Sequence, residues 1–136
     1  MLAALNRNLL KSVMLADGVF SLATGIVLFA FKGPIGGLVG SHATPAVLTG
    51  FAVFFALWGI FHLAVGRQEQ PSPAAVRFAI TGDALWVLGS IAVLLLARGG
   101  LTPAGMGLIA VAAVAVADIL LLKQIGLARQ RRAVIA

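Results

Sequence analysis

The chain has 136 residues, a net charge of +6 and a hydrophobic fraction of 61 %, against roughly 45–50 % for soluble domains. A soluble domain of this length cannot hide that much apolar surface, whereas a bilayer accepts apolar faces all round a helix. Cysteine is absent, which excludes disulfides, thiolate metal sites and cysteine nucleophiles.

A bilayer core needs about 20 apolar residues per helix. Four segments meet that length, at 12–31, 46–65, 78–97 and 104–122. The first is too long and too poorly followed by a cleavage site for a signal peptide, so it is read as retained. "KGPIGGLVGSHATP" separates the first two segments, "GRQEQPSP" the next two and "RGGLTP" the last two. Gly and Pro collect there because they break helices and fit tight turns. Pro45 and Pro103 each precede a segment, where a proline in a helix's first turn is tolerated.

These elements predict an all-α membrane protein, a four-helix up-down-up-down bundle forming a single transmembrane domain over 1–136. Lys and Arg give its direction. With the N-terminus inside, Arg7, Lys11, Arg67, Arg77, Lys123, Arg129, Arg131 and Arg132 lie inside, and Lys32 and Arg98 outside. Both termini are therefore expected in the cytoplasm, in a membrane taken as the bacterial inner membrane. The same placement explains the positive charge. The tail "KQIGLARQRR" reads as a topology and headgroup anchor, and nucleic acid is not an expected partner.

Aligning Asp17 with Asp83 places "DGVFSLATGIVL" over "DALWVLGSIAVL". Each aspartate is followed by an aromatic at +3 (Phe20, Trp86), a leucine at +5 (Leu22, Leu88) and a hydroxyl at +7 (Thr24, Ser90). "TPA" introduces the second and fourth segments at 44–46 and 102–104. The chain thus reads as two helical hairpins, about 6–66 and 72–128, forming a parallel repeat. "GVFSLATGIVLF", a proline-containing loop and "LTGFAVFFALWGIFHL" together resemble the HdeD-like acid-resistance membrane proteins, which are built from two-helix units. The chain also has the look of small bacterial four-helix membrane proteins. Half the chain carries the HdeD-like likeness, and those proteins have more than four spans. The resemblance implies a class and supplies no mechanism.

Ionisable residues form a layer. Asp17 lies six residues past Lys11, Asp83 six past Arg77, Asp118 five before Lys123 and His62 five before Arg67. At 1.5 Å per residue, each is about 7–9 Å below the inner surface. Asp17, Ser21 and Thr24 share a helical stripe, as do Asp83, Trp86 and Ser90, and as do Phe51, Phe55, Trp58 and His62. Asp118 stands among alanines, where helices approach closely. Protons, a cation or a basic ligand could bind such a layer. Alternatively, nearby Lys and Arg pair with the aspartates and fix helix register.

Other chemistries fit less well. His42 and His62 lie about 30 Å apart along the chain's helical rise, so one haem iron cannot take both. No Glu-x-x-His pair is present for a dinuclear carboxylate site, and no catalytic set supports an enzyme. The aromatic stripe of Phe51, Phe54, Phe55, Trp58 and Phe61 reads first as packing, with a quinone or carotenoid beside His62 as the other use, and Phe51, Phe55, Trp58 and Trp86 form the candidate aromatic face. Gly18 with Gly25, and Gly82 with Gly89, are candidate contact surfaces for a homo-oligomer or a larger membrane complex. The expected function is a non-catalytic accessory or scaffolding membrane protein. The alternatives are a small proton- or cation-coupled transporter using Asp17, Asp83 and Asp118, or a quinone- or lipid-binding helper of a membrane enzyme.

Overall fold

The computed structural model describes residues 8–135. Arg7 and the first residues of the predicted hairpin lie outside that range. The described residues are all-helical, with five α-helices and one 3-10 turn: α1 Leu9–Ala30, α2 Lys32–Val39, α3 Pro45–Gly66, α4 Pro73–Leu96, the turn Arg98–Gly100, and α5 Pro103–Ile135. Four of them, α1, α3, α4 and α5, are long and apolar enough to cross a membrane. The shortest two have 22 residues, or about 33 Å at 1.5 Å per residue, enough for a hydrocarbon core of roughly 30 Å.

The starts of α3 and α5 share one device. The Thr44 side chain accepts from the backbone N–H of Val47, and the Thr102 side chain accepts from that of Gly105. A threonine cap satisfies an orphan amide, and the following proline has none to satisfy. Half of the apparent sequence repeat is therefore a capping signal used twice.

Three boundaries differ from the sequence reading. The segment read as a loop after α1 contains α2. Its proline, Pro34, stands in the first turn, where no intrahelical amide is required. α4 starts at Pro73 rather than at 78 because Ser72 and Pro73 form a helix start ahead of the apolar run. α5 continues past 122 to Ile135, since the residues beyond 122 include no proline to stop it.

α1 and α3 form the most intimate pair. A Cβ on Gly25 would meet the Ala52 carbonyl oxygen at 2.8 Å, one on Gly59 would meet the Gly18 carbonyl oxygen at 2.8 Å, and one on Gly66 would meet Leu15 at 2.9 Å. Residue 15 thus lies beside 66 and residue 25 beside 52, so the two helices run in opposite directions. Small residues permit this approach. Gly18 and Gly25, expected as an oligomer surface, are consumed inside the chain. Gly82 likewise lies under the Trp58 indole, while Gly89 faces open space.

The other hairpin end is stitched by backbone. Thr102 N–H donates to the Val39 carbonyl at 2.9 Å, and the Thr102 hydroxyl donates to that of Leu38. Gly40, with φ of +130°, would bring a Cβ to 2.2 Å from the Gly100 carbonyl oxygen. Only glycine fits that backbone and that gap.

Candidate functional site: a buried lysine held by two aspartates and a histidine

Each long helix contributes one polar side chain to a single point. α1 presents Asp17, α3 His62, α4 Asp83 and α5 Lys123. The Lys123 ammonium lies 2.5 Å from Asp17 Oδ2, 2.6 Å from Asp83 Oδ2 and 2.8 Å from His62 Nε2. Lys123 and His62 are 0 % exposed, Asp83 4 % and Asp17 7 %. An ammonium has three N–H donors and no acceptor, and here each donor faces an acceptor from a different helix.

The surrounding bonds orient the set. His62 Nδ1 lies 2.8 Å from the Trp58 carbonyl oxygen. A carbonyl only accepts, so Nδ1 carries the hydrogen and Nε2 is left with its lone pair toward Lys123. Ser21, one turn beyond Asp17, donates to Asp17 Oδ1 at 3.4 Å. His62 Nε2 also lies 3.1 Å from Asp17 Oδ2.

The surroundings are apolar and layered. Leu10, Met14, Val65, Val76, Ala79 and Leu127 form a buried core cluster. Each lies three to seven residues from its own helix's polar residue, toward the end that holds residues 8 and 66. This core is a plug. Beyond it opens a cleft of about 430 Å³, lined by Leu10, Lys11, Glu69, Gln70, Gly126 and Arg129 among others. On the α3–α4 side, aromatic rings close the site. Trp58 packs on His62 with ring centres 4.9 Å apart and on Phe78 at 5.7 Å, and Phe55 packs on Trp86 at 5.0 Å.

The structure brings together Asp17, His62, Asp83 and Ser21 of the expected layer. It does not bring Asp118, which is exposed on α5. Asp118 lies five residues before Lys123, so it points about 140° away around the helix and sits about 7.5 Å along it. Thr24 donates to the carbonyl of Phe20 on its own helix at 2.9 Å. Ser90 is buried on α4, about two turns from Asp83. Phe51, Phe55, Trp58 and Trp86 do share a face, joined by Phe54 and Phe78 in the seam between α3 and α4.

Lys123 was the residue missed. Read as an inner-surface anchor, it instead points into the bundle. Eight inner charges less Lys123 leave seven against two, so the charge bias keeps its direction. The signal was present: "ILLLKQIGLA" remains apolar beyond the lysine, which marks an interior position rather than the end of a span.

The ligand atoms of Asp17, His62 and Asp83 lie within 4.8 Å of one another, a spacing that suits a metal. The Lys123 ammonium fills the space among them at hydrogen-bond distances, longer than the roughly 2.0–2.2 Å of zinc to nitrogen or oxygen. The residues present fit an ammonium, and its charge opposes a second cation. His62 has both ring nitrogens engaged, and His42 is exposed beside Gly100, so no histidine pair frames a haem.

Fold and site together define an all-helical chain with four apolar, membrane-length helices around a buried charged cluster. Comparison with protein families, with curated proteins and with solved structures finds no match.

Proposed function

We propose that this chain is a small, non-catalytic integral membrane protein of the bacterial inner membrane, an accessory or scaffolding subunit of a homo-oligomer or larger membrane assembly. Its four long helices run up-down-up-down with both ends cytoplasmic. One observation carries the reading: the Lys123 ammonium is saturated by side chains from the three other long helices. A centre with every donor used fixes helix register and leaves no coordination open to a substrate. The outward-facing Phe20, Leu57, Leu85 and Val111 suit lipid or a neighbouring apolar helix.

The absence of native cysteine makes the topology directly testable. Single-cysteine variants Ser72→Cys and Ser41→Cys are treated with an impermeant thiol reagent on intact cells. The expected result is labelling of Ser41→Cys and protection of Ser72→Cys; the reverse overturns the orientation. Native mass spectrometry of the detergent-extracted protein tests assembly, and a lone monomer overturns the scaffold reading.

A second reading has one observation in its favour. The Trp86 Nε1–H is buried without a partner among the described residues. Trp86 also lines a shallow apolar cleft with Val47, Gly50, Phe51 and Phe54. A quinone or lipid entering between these rings far enough to reach Nε1 would accept that hydrogen on a carbonyl. Co-purification of such a lipid, lost in Trp86→Phe, is the test.

A further inference from the structure

The Lys123 cluster has a charge deficit. With His62 neutral, Asp17 and Asp83 bring two negative charges and Lys123 one positive, leaving −1 where no member is more than 7 % exposed. An unbalanced charge in such surroundings is costly. A neutralising proton removes that cost, and the hydrogen bonds indicate where it sits.

His62 does not offer a place for it. Its Nδ1 is already protonated toward Trp58, and its Nε2 lone pair takes an N–H of Lys123 at 2.8 Å. A proton on Nε2 would face Asp17 Oδ2 at 3.1 Å, but it would also set an imidazolium against the Lys123 ammonium only 2.8 Å away, two cations face to face. The carboxyls remain. Asp17 accepts from Lys123 on one oxygen and from Ser21 on the other. Asp83 accepts from Lys123. Charge-assisted donors stabilise a carboxylate as the anion, so the carboxyl with fewer of them is the better seat for a proton.

We infer that the cluster binds one exchangeable proton, seated on the Asp83 carboxyl, which makes the four-residue site electroneutral. The groups facing Asp83 from the other helices are Asp17 on α1, His62 on α3 and Lys123 on α5. The plug of Leu10, Met14, Val65 and Val76 separates this proton from the cleft lined by Lys11 and Glu69. The inference rests on the reading that the cluster lies within a membrane. Helix tilt from infrared dichroism in the same sample tests that reading separately.

The experiment is infrared spectroscopy of the full chain in lipid nanodiscs, with carboxyl-carbon-labelled aspartate in an Asp118→Asn background. Only Asp17 and Asp83 then carry the label. The expected result is one isotope-shifted protonated-carboxyl band at neutral pH, which disappears on alkalinisation with release of a single proton per chain. Adding Asp83→Asn removes the band. Because an amide mimics a protonated carboxyl, Asp83→Asn melts no lower than its parent at neutral pH, whereas Asp17→Asn melts lower. Absence of a labelled band in the Asp118→Asn parent overturns the inference without reference to any cluster variant. A band that survives Asp83→Asn and is lost in Asp17→Asn also overturns it.

Discussion

Lys123 has no exposed surface, and its environment is polar at one atom only. Its ammonium meets three acceptors. Removing that ammonium leaves the Asp17 carboxylate buried beside the Asp83 carboxyl with no counter-charge. Lys123→Met is therefore expected to cost about 3–5 kcal/mol, read as lost resistance to denaturing detergent. Lys123→Arg keeps the charge but offers a planar fork in place of a tetrahedral head, so it should restore only part of that loss. Asp118→Asn, on an exposed face, should stay within about 0.5 kcal/mol of wild type. Much of this site was legible. Asp17, His62 and Asp83 stand out because ionisable groups are rare in apolar runs. Lys123 was hidden because lysines near helix ends normally reach outward, and because measuring depth from it placed Asp118 in the layer instead. Only the packing of α5 on α1 and α4 reveals which of Asp118 and Lys123 faces inward.

The α1–α3 pair depends on bare backbone. A Cβ on Gly25 would meet the Ala52 carbonyl oxygen, which belongs to a helix and cannot swing aside. Gly25→Ala is expected to force the two helices apart and cost about 1–3 kcal/mol. Gly89 faces nothing within 4 Å, so Gly89→Ala should be neutral or stabilising by up to about 1 kcal/mol, since alanine is the better helix former. Thermal melts of the two variants side by side check both signs. The sequence marks these glycines as contact points but not their partners. Which face of a glycine-bearing helix turns inward is set by the other helices. The helical character of α2 was also obscured, because "KGPIGG" has the composition of a turn and the geometry of a first helical turn.

The molecule is ordered along one axis: open cleft, apolar plug, charged cluster, and then glycine-packed and aromatic seams. All four long helices respect that order, so the cluster sits where no loop reaches it. Met14, with no exposed surface, fills the plug one turn from Asp17. Met14→Ala is expected to cost about 2–5 kcal/mol through the cavity it leaves. It should also hasten deuterium uptake at the cluster, measured by isotope exchange of the carboxyl band. The four-helix plan itself was plain from hydropathy alone, because apolar length is a property of each segment taken singly.

The bond between Asp17 and Lys123 spans 106 positions of chain. A ribosome adding about 5–20 residues per second needs roughly 5–20 s to cover that distance. During that interval α1 already carries its aspartate while the Lys123 ammonium that satisfies it is still unmade. The newborn protein is thus committed to a wait. Asp17, His62 and Asp83 have no ammonium to close on until α5 arrives, so the cluster forms last. A chain stopped before Lys123 has the three acceptors of the cluster and not the donor that joins them.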